Sequence, residues 1–266
     1  MARGPLSMTV GAIAGPRRLV AMLRGDSLIR NSAYIMAVTV ITSGLGFVFW
    51  LVAARRFSAS EVGLAAALVS AMTLVSMLSN LGINTALVQM LPRRQPGAQW
   101  SATLNAGMLC GLVSSALAGL ATVFILPLIS SRFDVLQHSV GYVLVFVTGV
   151  VVTTATNLLD YACIAERKAE KTLVRNTVFS LVKIPLLVVP AIVAMGAFGI
   201  FFSWVAATAV TVLVAAAMIP GLRRGYRIGL AGVRQELRRL FTYLAGHHSI
   251  NTGSSHHGAK LPMLIE

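Results

Sequence analysis

The sequence predicts an all-α integral membrane protein, a bundle of six transmembrane helices, and three observations carry that prediction. The first is composition: of 266 residues 56% are hydrophobic and only 11% are charged, where a soluble domain carries roughly 25% charged residues. The second is a pair of long uncharged runs, Asn31 to Ala54 and Val62 to Pro92. A hydrocarbon core about 30 Å thick is crossed by about 20 such residues in a helix. The third is where the charge falls. The net +14 is scattered through short segments between apolar runs instead of forming the patch that binds nucleic acid, so nucleic acid is not expected as a partner.

The spans follow in order. Ala33 to Ala54 is the first, closed by Arg55 and Arg56. Ser58 with Glu61 three residues later has the pattern of a capping box, so a new helix starts there and the two runs form a helical hairpin. The second span covers Val62 to Ile83, and the uncharged run continues to Leu91, longer than a bilayer core. A break is expected at Asn80-Leu81-Gly82-Ile83-Asn84, where polar residues and a glycine interrupt the apolar pattern. Trp100 opens the third span, to Ile129. Gly107, Gly111, Ser115 and Gly119 recur every fourth residue along it, a stripe that lets another helix approach closely. The fourth span is Val140 to Ala162. The fifth, Thr177 to Ala197, carries Lys183, Pro185 and Pro190, and the sixth runs from Ile200 to Pro220.

Orientation follows from the basic residues. With a cytoplasmic N-terminus, the inner segments hold 17 arginines and lysines and the outer links only Arg55, Arg56 and Arg132. The positive-inside rule therefore puts the N-terminus in the cytoplasm of a multi-pass protein of the cytoplasmic (inner) membrane. Tyr34, Trp50, Trp100, Tyr142 and Trp204 fall at span ends, as an interfacial aromatic belt requires. Residues 1–29 read as a basic cytoplasmic tail without the apolar core and cleavage site of a signal peptide. Residues 30–220 form the bundle. From 221 to 266 the chain is a basic amphipathic segment, helical from Gly221 to about Tyr243 at the membrane surface, followed by an irregular tail. Two His-His pairs in that tail, His247-His248 and His256-His257, lack any supporting acid or cysteine, so no metal site is expected.

The arginine-rich opening, the link Phe57-Ser58-Ala59-Ser60-Glu61-Val62-Gly63, and the run Leu81-Gly82-Ile83-Asn84-Thr85-Ala86-Leu87-Val88-Gln89-Met90-Leu91-Pro92 resemble the start of polysaccharide and O-antigen flippases. These form the lipid-linked oligosaccharide branch of the multidrug/oligosaccharidyl-lipid/polysaccharide exporter superfamily. The resemblance covers 30–94 in motif and the first 220 residues in span pattern. It implies a bundle like one half of a two-lobed exporter, with the last residues as the start of a second half. The implied substrate is a polyprenyl-pyrophosphate-linked oligosaccharide, moved across the membrane for cell-surface polysaccharide synthesis. The implied partners are that lipid-linked sugar, membrane lipids, and either a second half or a second copy of the chain. Two alternatives stand beside it: a non-transporting membrane scaffold or inactive truncated remnant, and a fragment of a multidrug exporter.

A pyrophosphate head is anionic and strongly hydrated, so an ionisable residue within a span is a functional candidate. Lys183 in the fifth span and Asp160 near the inner end of the fourth are the two that stand out, both read as close to the cytoplasmic side. Lys183 either binds pyrophosphate or sugar, or it snorkels to the interface, or it pairs with Asp160. Arg30 at the inner mouth and Arg55 at the outer mouth either receive and release the head or fix topology. Asn84 and Gln89 either meet ligand or bond between helices. A flippase predicts that Lys183, Asn84 and Gln89 line one cavity, whereas a scaffold predicts them closed off. No nucleophile constellation or P-loop appears, so neither an enzyme nor a cofactor is expected.

Overall fold

The computed structural model of the chain describes residues 27–253, with the side chains of 27–31, 33, 35, 190, 191 and 245–253 left undescribed. The described residues form helices and loops and no strand. In order come α1 (Ser27–Arg56), α2 (Ala59–Ser79), α3 (Ile83–Met90), α4 (Ala98–Ile129) and α5 (Val140–Ala165). Then follow α6 (Ala169–Leu186), the short α7 (Pro190–Val193), α8 (Ala197–Met218) and α9 (Val233–Gly253). Five of these, α1, α2, α4, α5 and α8, are long and apolar enough to cross a bilayer. The chain is a multi-pass membrane protein.

The expected count of six apolar spans is not met among the described residues, and α6 is the reason. It starts at Ala169, eight residues before the expected Thr177, and stops at Leu186. The charged segment Glu170-Lys171 is helical, because both are good helix formers and Lys171 donates to the Met218 carbonyl at 3.1 Å. Pro185 closes the other end: its ring and missing N–H prevent a regular helix from running on. α6 nevertheless packs inside the bundle, against α1 and α8.

At the first link the capping box forms as the spacing predicts. The Ser58 N–H donates to Glu61 Oε2 at 2.8 Å and the Glu61 N–H donates to Ser58 Oγ at 3.4 Å. The two helices it joins are not a packed hairpin, however. α1 barely touches α2 and leans on α6 instead, while α2 packs on α8, α5 and α4.

The break after α2 falls where the polar residues and glycine predict it. Leu81 and Gly82 both take positive φ, 47° and 82°, which reverses the helical path for two residues. Gly82 suits that region, and Leu81 occupies it at a cost. Ser114 of α4 donates to the carbonyl of Ser79 at 2.7 Å, satisfying one of the groups that the helix end leaves open.

The small-residue stripe on α4 also does what its spacing predicts. A Cβ added at Gly111 would lie 2.6 Å from Leu158 Cδ1 of α5, and one at Gly107 would lie 2.9 Å from Leu87 of α3. A core of Ile83, Leu87, Trp100, Leu104 and Leu158 fills one end of the bundle. Met72, Phe146, Val150 and Phe201 fill the other.

Two further expectations are corrected. The amphipathic helix begins at Val233, not Gly221, because Gly225 and Gly232 adopt positive φ and keep the preceding stretch irregular. It is docked, burying Val233 and Leu240, and Glu236 receives Arg94 at 2.5 Å and the Thr103 hydroxyl at 3.1 Å. Trp100 is fully buried and donates to Glu166 at 2.8 Å, so it is a structural indole and not a belt residue. His256 and His257 lie outside the described residues, and only the backbone of His247 and His248 is described.

The glycine at 199 gives a direct test of this packing. A Cβ there would sit 1.9 Å from the Ile192 carbonyl oxygen, a backbone atom with no room to retreat. Gly199→Ala is expected to cost about 1–3 kcal/mol, read as a lower thermal midpoint in detergent. Gly44→Ala, with no atom within 4 Å of the new Cβ, is expected to stay within about 1 kcal/mol of wild type.

Candidate functional site

A polar hollow of about 220 Å³ opens between α2, α5, α6 and α8. α5 contributes Thr153, Thr156, Asn157 and Asp160 to its wall, and α6 contributes Arg175, Asn176 and Phe179. Trp204, Thr208 and Thr211 line it from α8 and Thr73 from α2. The threonines reach the hollow because threonine is tolerated in a helix when its hydroxyl bonds back to a carbonyl one turn earlier. Thr208 bonds so to Trp204 at 2.9 Å, and Thr73 to Val69 at 2.8 Å. With their protons spent on the backbone, these hydroxyls offer lone pairs to the hollow. That makes its wall an acceptor surface for water or sugar hydroxyls.

The one ion pair in this wall joins Asp160 to Arg175. Arg175 Nε donates to Asp160 Oδ1 at 2.9 Å and its Nη2 donates to Oδ2, a two-pronged fork, while Nη2 also reaches Asn176 Oδ1 at 3.2 Å. Their side chains are 8% and 20% exposed. A charge this deep is costly unless a partner meets it.

Lys183 has a different environment. It is 2% exposed, and its Nζ stands 4.3 Å from the Trp204 ring, 4.5 Å from Phe179 and 5.1 Å from Phe49. Three helices, α8, α6 and α1, each supply a ring. A desolvated cation over aromatic faces gains about 2 kcal/mol or more. Among the described residues no carboxylate reaches it.

The expected candidates therefore separate. Asp160 lines the hollow and Lys183 stands behind two of its rings, but the two do not pair, because Arg175 holds Asp160. Nor are both near the same end. Lys183 is eight residues beyond Arg175 on α6, about 12 Å along the axis, and the later helix start used in the sequence reading hid that depth. Asn84 and Gln89 sit on α3, away from the hollow, Gln89 exposed and Asn84 with a buried, unpartnered Oδ1. The single cavity expected for Lys183, Asn84 and Gln89 does not form. Arg55 is exposed at the end of α1. The side chain of Arg30 lies outside the described part.

Sequence reasoning missed Arg175, Phe49, Phe179 and Trp204. From sequence Arg175 reads as a loop cation and Trp204 as a belt residue. The available signal was spacing: Lys171, Arg175, Phe179 and Lys183 recur every fourth residue, one face of a single helix.

A second hollow of about 210 Å³ lies between α1, α5 and α6. It shares Asn157, Asp160 and Asn176 with the first and is otherwise lined by Val38, Tyr161, Ile164, Ala169 and Thr172. Beyond the helix ends, Arg223 pairs with Glu166 at 2.7 Å and Tyr226 donates to Asn105 at 2.9 Å, burial pushing its phenol up. These contacts tie the segment after α8 to the end of α5 and to α4, outside the hollow.

Residues 28–251 match a family model described as polysaccharide biosynthesis protein. No curated protein and no solved structure matches.

Removing one member of the buried ion pair tests whether it is structural. Asp160→Ala, which strands the guanidinium, is expected to lower stability by about 3–5 kcal/mol. The double variant Asp160→Asn with Arg175→Gln is expected to recover most of that loss, both read by thermal unfolding.

Proposed function

The chain belongs to the polysaccharide biosynthesis protein family, a transporter type and not an enzyme class, and on that premise we propose that it moves a polyprenyl-pyrophosphate-linked oligosaccharide across the cytoplasmic membrane. The observation that carries this reading is the polar hollow with a buried guanidinium in its wall, set among helices apolar enough to cross a bilayer. An anionic, hydrated head cannot enter hydrocarbon unaided. Arg175 and the side-chain amides of Asn157 and Asn176 offer donors to the anionic head and the threonine oxygens accept from sugar hydroxyls, while the lipid tail stays in the bilayer.

The hollow is open, not enclosed, so the oligosaccharide extends from it into space outside this bundle. A second bundle facing it, another half or another copy, supplies that space, and the two rock against each other in alternating access. The bias of basic residues supports a cytoplasmic N-terminus, which puts the Arg175 end of α6 toward the cytoplasm.

The enclosure of Lys183 by three rings and of Arg175 by Asp160 favours a second reading, a membrane scaffold that transports nothing. Reconstitution separates the two. Vesicles holding the protein are expected to translocate a fluorescent polyprenyl-pyrophosphate-linked sugar faster than protein-free vesicles. Thr208→Leu, which fills the hollow with carbon, is expected to slow that transfer about tenfold. Equal rates with and without protein support the scaffold.

A further inference from the structure

We propose that α6 carries two successive stations for the anionic head, Arg175 first and Lys183 second, each held in this structure by an internal stand-in. This rests on the function proposed above and deepens it. The geometry is that of one helix face. Lys171, Arg175, Phe179 and Lys183 lie four residues apart, about 6 Å per step. A cation in an apolar bundle must be neutralised or otherwise solvated, and the chain does this in two chemically different ways. Arg175 is met by a carboxylate fork from Asp160. Lys183, eight residues on, is met among the described residues by ring faces.

The difference assigns the roles. Asp160 and Arg175 line the hollow directly, so a diphosphate entering it meets the guanidinium and competes with the carboxylate for the same two donors. Lys171, one turn back on α6, lines a small gap together with Asp160, and can take over the released carboxylate. Farther along, Phe179 and Trp204 stand in the wall of the hollow, and the Lys183 ammonium, which does not itself line it, lies 4.5 Å and 4.3 Å from those rings. Cation–π contacts are weaker than a phosphate–ammonium contact in the same low-dielectric setting. The head exchanges the rings for itself once it has moved past Phe179. Arg175 thus sets affinity, and Lys183 lowers the barrier of the step that follows.

The test uses the whole chain in phosphatidylcholine–phosphatidylglycerol vesicles. Initial translocation rates are measured against the concentration of a polyprenyl pyrophosphate bearing a fluorescent sugar. R175Q alone strands the Asp160 carboxylate, so the charge-neutral pair D160N/R175Q is measured beside it. Both are expected to raise the half-saturating concentration about tenfold, whereas K183Q leaves it within about twofold and lowers the maximal rate about tenfold, K183R restoring most of that rate. Maximal rates are normalised to the folded fraction of each variant, read by thermal unfolding in the same vesicles, so a purely structural role for Lys183 leaves the normalised rate unchanged and a purely structural role for Arg175 leaves half-saturation unchanged. If all variants change the same parameter in the same proportion, or none changes either, the two-station inference is overturned while transport stands. If wild-type vesicles are no faster than protein-free ones, the proposed function fails and takes this inference with it.

Discussion

Everything in this bundle depends on keeping two cations of α6 inside a helical packing that is otherwise almost without charge. An unpaired guanidinium or ammonium in such a medium costs several kcal/mol, more than most single contacts return. The chain meets that cost locally, by drawing Asp160 of α5 onto Arg175 and by turning Phe49, Phe179 and Trp204 toward Lys183. The helices that supply these groups, α1, α5 and α8, are thereby fixed around α6. The polar hollow is what remains between them.

That arrangement also explains why α1 abandons its neighbour in sequence. α1 and α2 diverge from the capping box, and α1 lies along α6, where Phe49 closes the ring around Lys183 and Ala53 and Leu187 complete the apolar contact. Small residues set the other contacts. Gly111 brings α4 against Leu158 of α5, and Gly149 brings α5 against Met72 of α2 and Val205 of α8. At the far end, paired glutamates hold the chain that follows α8: Glu166 binds Trp100 and Arg223, and Glu236 binds Arg94 and Arg239.

Much of this was readable in advance, because it rests on patterns confined to one segment. Uncharged length marks the spans, Ser58 with Glu61 marks a helix start, Asn80 to Asn84 marks a break, and the glycine stripe of α4 marks a close contact. What could not be read depends on neighbours distant in sequence. Glu170, Lys171 and Arg175 look like a loop until Asp160 and the Met218 carbonyl are seen to meet two of them. Trp204 looks interfacial until Lys183 arrives beneath it. The start of α6 matters most, since moving it by eight residues changes the depth of Lys183 and breaks the expected pairing with Asp160. Asn84 and Gln89 stand out by polarity alone, and polarity carries no information about which side of a helix a cavity lies on.

The claim that most needs testing is that the space between α5, α6 and α8 is wet while the protein sits in a membrane. In a chain whose Cys110 and Cys163 are replaced by alanine, single cysteines at Thr156, Thr208 and the outward-facing, lipid-exposed Leu213 are treated with a membrane-impermeant thiol reagent in intact vesicles. The account predicts labelling at 156 and 208, from one side of the membrane and slowed by inorganic pyrophosphate, with none at 213. Protection of 156 and 208 equal to that of 213 would contradict it.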